Sequence, residues 1–470
     1  MSGTALDSGM QKIAGLAAPN HPYRSEPDLL VDELLASGLP RWMVADPGMI
    51  RLLRTRVRPP RTLAGRLVDG YFRLFEFSGP GVLGIRLVSS AIVLHWWLTS
   101  ARRDPGLGSA RHLFLGFGAA IEDALYREFE QEKPDECCRL HSLQHRSLGR
   151  LGRPRLWRVL QVIWKQARIA GEQANGCASE LVLAHRAEWS SSVAKRLYRL
   201  AYFAAWTEQL PEKVETITCI FLDAATAGIA MTAHGDRHRR SLEYWQHGFL
   251  SNDLIGPAGL HRVRALNALE GKFLSQRCPG ARIDVVAPKL RPRPIGLDAE
   301  PFVLLASQYD TTAFHKAHQL VALRHLQAWA TEHRLELVLR LHPREDGRFW
   351  HEAFPGIRVD GTKDGFAACL ERLRPLYVCS WSSTALLDAL VAGIVPILLE
   401  DDVDRHASDL AFPLAAISVA LPGEAALLNA ITSRNEDYRR ILAEKQRLLG
   451  ESIDEAPACG EPMVFVGSLS

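Results

Sequence analysis

The 470-residue sequence contains no uninterrupted apolar run of bilayer-spanning length. Its most apolar stretch, LVSSAIVLHWWL at 87–98, is 12 residues long and bracketed by Arg86, Arg102 and Arg103, against the roughly 20 residues a spanning helix needs. A buried helix or strand is expected there. The start, MSGTALDSGMQKIAGLAAPNHPYRSEPD, has no apolar core behind a basic flank, which argues against a secretory signal and makes residues 1–45 an expected loosely ordered leader. The eight cysteines follow no disulfide-like spacing and form no paired CxxC. Cys219, Cys369 and Cys379 sit in apolar segments, where cysteine acts as a small hydrophobe. A reducing cytoplasm is the expected location. Walker A, GxSxG and HExxH motifs are also missing. Gly116 and Gly118 in LFLGFGAAIEDAL lack the third glycine of a dinucleotide fingerprint, Ile121 standing in its place, so NAD binding is set aside. Cys137, Cys138, His141 and His145 match no common zinc spacing and are expected on a polar surface helix.

What is present is an ordinary globular composition, 47% apolar and 23% charged, in a chain too long for one core. The net charge of +3 is unevenly spread: residues 51–168 hold 21 Lys/Arg against 10 Asp/Glu. Arginines crowd RLLRTRVRPPR (51–61) and RSLGRLGRPRLWRVLQVIWKQAR (146–168), the second with Leu156, Val159, Leu160, Ile163 and Ala167 at helical spacing. That pattern suits either a solvated basic face or a helix resting on an anionic membrane. With no recognised nucleic-acid module beside it, nucleic acid is not expected as a partner.

Four prolines in PKLRPRPIGLDAEP (288–301) mark a seam. It divides an expected first domain, 46–288, from a second, 301–470, through a linker at 289–300. Beyond the seam, PFVLLAS, LELVLRLH, LYVCS and VPILLE alternate with amphipathic segments. Continuous apolar strands between helices mean a parallel sheet covered on both faces. Before the seam, HLFLGFG, TITCIFLDA, RSLEYWQHG and RIDVVAP read as strands, with helices expected near 120–132, 153–170, 192–206 and 262–277. The expected fold class is α/β, two Rossmann-like domains facing across a cleft.

Ligands of such sheets bind beyond the carboxyl ends of the strands. In the second domain those ends offer Ser307 and Gln308 after LLA, Arg340 and His342 in LRLHP, and Ser380, Ser382, Ser383 and Thr384 in CSWSST. One hydroxyl is enough to cap the helix that TALLDALVAG predicts. The surplus, an imidazole and a guanidinium together suit a phosphate. In the first domain WQHG ends a strand at His247, whose near-neutral imidazole is a natural general base for an acceptor hydroxyl. Gly248 is expected to give the chain a sharp turn there.

The ordered set WQHG, RLHP and SWSSTALLDALVAGIVPILLE, within residues 240–400, resembles the GT-B glycosyltransferases of bacterial surface polysaccharides, in particular the capsule and polysialyltransferase-like enzymes that use CMP-sugars. More distantly it is similar to CDP-glycerol glycerophosphotransferases. The resemblance implies that His342, Ser382 and Ser383 hold the nucleotide phosphate and that His247 lies at the acceptor side, a glycan or a lipid-linked saccharide. The acidic-acidic-Gly motif that carries the base in polysialyltransferase-like enzymes has its one good match here at 345–347, in the second domain. The base therefore stays open between His247 and an acid such as Asp223. Without a DxD-like pair after an early strand, no metal or other cofactor is expected. CDP-polyol phosphate transfer and a non-catalytic nucleotide- or glycan-binding protein stand as alternatives.

Overall fold

The computed structural model describes residues 33–44, 63–99, 107, 109–116, 121–134, 136–141, 154–177, 179, 183–233, 240–248, 250, 254–286, 300–307, 313–342, 345, 347–362, 364–381, 383–399, 414–454 and 464–465. The chain forms two compact units: 1–247 with 252–264 and 274–283, and 248–251 with 265–273 and 284–470. Each carries a parallel sheet of buried, largely apolar strands, as expected. Of the expected loosely ordered leader only 33–44 is described, and it is corrected: a helix at Arg41–Val44 and Leu34 are packed into the core, with Arg41 donating to the Gly256 and Arg277 carbonyls at 2.9 Å. The 51–61 basic run and nearly all of the expected linker lie outside the described residues.

The first sheet contains β1 (His112–Gly116), β2 (Cys137–His141), β3 (Thr216–Cys219), β4 (Ser241–Trp245), β5 (Arg262–Ala265), β6 (Arg282–Val285) and a late strand, Val464–Phe465. Starting from β2 the order is β2-β1-β3-β4-β5-β6, with Val464–Phe465 beside β6. Every pair from β2 to β5 is parallel. The chain lays β2 to one side of β1 and β3 onward to the other, so its direction of travel reverses between β1 and β3. Two expectations are corrected here. Residues 262–277 are not one helix but β5 followed by a helix at Ala268–Arg277; Arg262 and Arg264 alternate with Val263 and Ala265, a period of two. Cys137–His141 is a strand rather than a surface helix.

Five helices of this unit matter below: α1 (Leu63–Phe75), α2 (Gly79–Thr99), α3 (Ile121–Glu132), α4 (Leu156–Gly176) and α5 (Arg186–Glu208). A sixth, α6 (Ala224–Ala233), is Ala-rich and buried along most of its length. It runs so close to α5 that a Cβ on Gly228 would sit 2.2 Å from the Leu200 carbonyl oxygen. The stretch 87–98, expected to be buried, belongs instead to the 21-residue α2, which leaves Leu87, Leu94 and Leu98 exposed.

The second sheet is formed by β7 (Glu300–Ala306), β8 (Glu336–Arg340), β9 (Arg358–Asp360), β10 (Pro375–Ser380), β11 (Val395–Leu399) and β12 (Val419–Leu421). Its order, β9-β8-β7-β10-β11-β12, is wholly parallel. This is the doubly wound arrangement in which the first strand is central, later strands first fill one side and then the other, and a crevice opens where they part, between β7 and β10. One core packs Val303, Leu305, Leu339, Tyr377 and Ile397 beneath Leu323, Leu326 and Trp329. On the other face Leu304, Val338 and Val378 meet Cys369, Leu370 and Ala389.

Because the α5–α6 contact is backbone against backbone at Gly228, Gly228→Ala forces the two helices apart. We expect it to destabilise the protein by about 1–3 kcal/mol, measured as a lower urea midpoint, while an Ala at Gly280, where a Cβ meets nothing within 4 Å, moves the midpoint only by the strain of its φ of +80°.

Candidate functional site: the carboxyl edge of the second sheet

At the reversal point β7 and β10 are tied together by a side chain. Ser380, the last residue of β10 and fully buried, donates its hydroxyl to the Ala306 carbonyl at 2.9 Å. Ser380 is thus a strand tie and not one of the hydroxyls open to a ligand. Just beyond it Trp381 is buried, and its indole N–H has no hydrogen-bond partner among the described residues. Ser383 Oγ accepts the Ala385 N–H at 3.2 Å, closing a hydroxyl turn at the start of the short helix α7 (Ala385–Val391). That bond uses an acceptor lone pair and leaves the Ser383 O–H to donate elsewhere. Thr384 occupies the N-cap position without making a side-chain cap bond. The surplus of hydroxyls noted in the sequence therefore persists here.

Ser307, directly after β7, is engaged. Its Oγ accepts the His342 N–H at 2.7 Å and its hydroxyl donates to the Glu345 carboxylate. The other contacts converge on the same loop: Ser307 N–H to the Arg340 carbonyl at 2.9 Å, His342 N–H to Glu345 Oε2 at 3.1 Å, and Trp350 Nε1–H to Glu345 Oε1 at 3.4 Å. Glu345 N–H returns to the His342 carbonyl at 2.8 Å. Glu345, the first residue of the acidic-acidic-Gly match at 345–347, fixes the backbone at His342, and His342 is half-buried at the strand end. Gln308 and Ser382 lie outside the described residues.

Arg340 is placed differently from expectation. It is buried and pairs in register with Asp360 on β9, contacting Asp360 Oδ2 at 2.7 Å, Thr362 Oγ1 at 2.5 Å and Asp364 Oδ1 at 2.8 Å. Arg372 closes the cluster from outside, 2.9 Å from Asp360 and 3.1 Å from Asp364. The guanidinium expected to hold phosphate is a cross-strand brace between β8 and β9. Asp360, Asp364 and Cys369 also form a group of potential metal ligands, but both carboxylates already face arginines. Burial raises the Asp360 carboxyl, and hydrogen bonds from Arg372, Arg340 and Thr362 outweigh it, so that it titrates at about 2. Burial pushes the Cys369 thiol up to about 12, which keeps it from being a thiolate.

In the first unit His247 follows β4 and is half-buried. Gln246 before it is buried and held by its N–H to the Arg264 carbonyl at 3.0 Å. Gly248 makes no sharp left-handed turn, and a side chain there would meet nothing within 4 Å; the expected steric role of this glycine is corrected. Asp223, the other candidate base, caps α6 through Ala225 N–H at 2.8 Å and pairs with Arg199 at 2.8 Å. The sequence reading passed over Glu122. Its carboxylate is fully buried against Gly116, at the carboxyl end of β1, where the first sheet reverses, and lies 3.7 Å from Arg139. The signal was an acid in the first turn of the helix that follows Gly116.

The sequence matches no protein-family model and no curated protein. Among solved structures the chain is similar to one of the wall teichoic acid polymerase TagF, with a TM-score of 0.38 and 7% identity, over 83% of this chain and 94% of that one.

The brace sets a pH dependence. The folded carboxyl of Asp360 is depressed from 3.8 to about 2, so its contribution is complete above about pH 4 and is lost as pH falls through 2. The shift corresponds to roughly 2 kcal/mol. In urea unfolding the gap between wild type and Asp360→Asn should therefore narrow by that amount between pH 5 and pH 2; a constant gap would exclude an ionised brace.

Proposed function

We propose that the protein is an inverting glycosyltransferase that moves a sugar from a CMP-activated donor to a surface-glycan or lipid-linked acceptor in the bacterial cytoplasm, without a metal. The observation that carries this reading is the carboxyl edge of a doubly wound sheet whose order reverses between β7 and β10: β10 leads into Trp381, whose buried indole N–H has no partner among the described residues, and Ser383, and β8 leads into His342. Such edges are where this architecture takes its ligands. Donors on both sides of a strand edge suit a phosphate that gains charge as the glycosidic bond breaks. The Ser307–Glu345 pair supports the reading by fixing the His342 backbone before any ligand arrives.

In this mechanism His342, Ser383 and Thr384 hold the donor phosphate, and Ser382 and Gln308 are assigned to the same ligand from the sequence alone. Arg340 is assigned to the frame. His247 removes the proton of the acceptor hydroxyl, and the deprotonated oxygen displaces the nucleotide with inversion. Asp223 is not favoured as the base, since its carboxylate already caps α6 and pairs with Arg199.

The reading is tested by thermal stabilisation with CMP, CDP, UDP, GDP, ADP and NAD. A ligand at 100 times its dissociation constant adds about 2.7 kcal/mol. CMP should raise the melting temperature of the wild type and of Arg340→Lys, and should have no effect on His342→Ala or Ser383→Ala. Preference for UDP or GDP removes the CMP donor. A response to none of them removes the transferase. Product mass then separates a transferred sugar from a polyol phosphate, and His247→Ala should abolish turnover while leaving the CMP response intact.

A further inference from the structure

We propose that the outer face of the α1, α2 and α4 layer is a docking surface for an anionic lipid bilayer. The inference stands on the first unit alone and does not depend on the transferase reading. All three helices pack on α5. Their inward sides are buried: Phe72 of α1, Ile85 and Val93 of α2, Val159 and Ile163 of α4. Ser89 of α2 also donates to the Ala194 carbonyl of α5 at 2.7 Å. The helices are joined laterally as well, Tyr71 of α1 resting on Gly84 of α2 and the Arg86 guanidinium of α2 lying 4.9 Å over the Trp164 ring of α4.

The outward sides are apolar where water would favour polar residues. On α2, Leu83, Leu87, Leu94 and Leu98 follow a 4-7-4 spacing that keeps them within about 60° of one another; Leu98 is 64% exposed. On α1, Leu63, Leu67 and Leu74 repeat the device, and Leu74 is 78% exposed. On α4, Trp157 and Trp164 lie two turns apart, with Trp157 71% exposed. In each helix the stripe lies opposite the buried side, and the Tyr71–Gly84 and Arg86–Trp164 contacts make the three helices lateral neighbours, so the stripes stand on adjoining helices. A face of this size in a soluble chain marks a contact surface.

Its chemistry selects the occupant. Arg66 and Arg73 border the leucines of α1, and Lys165 and Arg168 border the tryptophans of α4. Of the nearby acids, Asp69 faces Lys195, Glu76 faces Arg186 and Glu172 faces Arg168, and Arg66, Arg73 and Lys165 are the cations that set the sign of the face. A second copy would press like charges together, whereas an anionic headgroup layer neutralises them. Tryptophan is the residue that best tolerates the boundary between headgroups and acyl chains. The helix at Gly79–Leu98 is long and apolar enough to cross a membrane, with 28% of that window buried in the unit. Its hydrogen bond and core side chains belong to α5, so it lies flat in the interface, leucines down.

The test uses the full chain and sedimentation with vesicles of phosphatidylcholine, with or without one-third phosphatidylglycerol. Wild type should pellet with the anionic vesicles, release as salt is raised, and show a blue shift of tryptophan emission. Leu87→Glu with Leu94→Glu should lower partitioning at least tenfold, since each leucine buried in lipid is worth about 1.5–3 kcal/mol, with an unchanged melting temperature. Leu63→Ser with Leu74→Ser on α1 gives a second, independent reading. No pelleting of wild type, or pelleting that neither pair alters, overturns the proposal. So does a dimer in sedimentation velocity that these substitutions dissolve while vesicles leave the protein in solution.

Discussion

Parallel pairing around a reversal point is the constraint on which the second unit depends. All strands of that sheet run one way, so every carboxyl end comes to the same edge. Because β7 is central and its neighbours β8 and β10 are laid down on opposite sides, the loops leaving β7 and β10 must part. A gap results that no hairpin can close. A side-chain tie across it, Ser380 to the Ala306 carbonyl, sits at the last residue of β10, so it holds the strands in contact up to the point where the loops separate. Trp381 and Ser383 are carried to the rim by the same geometry.

Around that gap, charge is used to hold backbone. Arg340 spends its donors on β9 and on the turn after it. The two residues beyond Arg340 bring His342 to the edge, where Ser307 and Glu345 take its backbone N–H. The strand end is thereby fixed from both sides. A buried ion cluster of this kind adds less to net stability than its contacts suggest, because the charges lose their hydration. Its value here lies in geometry, since a misplaced β8 end displaces His342 with it.

The second sheet was legible in sequence because its strands are buried on both faces, and VLLA, LVL, LYVC and PILL are then apolar without interruption. Chemistry at the strand ends was legible only as residue type. Nothing in RLHP distinguishes an arginine aimed at a ligand from one paired with an aspartate 20 positions away, and Asp360 becomes its partner only through the β8–β9 register. Glu122 escaped for a similar reason, its meaning coming from Gly116 beneath it. The helix α2 was underestimated because it is apolar on all sides, which hides both its full length and the difference between the side that meets α5 and the side that does not.

That difference has a mechanical consequence within the first unit. The helix α5 is buried on nearly its whole circumference, with α1, α2 and α4 on one side and α6 on another. The α5–α6 contact is too tight at Gly228 to slide, and α6 in turn packs on β4, the strand that leads to His247. Close-packed interiors transmit displacement rather than absorb it. Displacement of the outer leucines of α2 therefore carries the carboxyl edge of β4 with it, as one body with the helical layer.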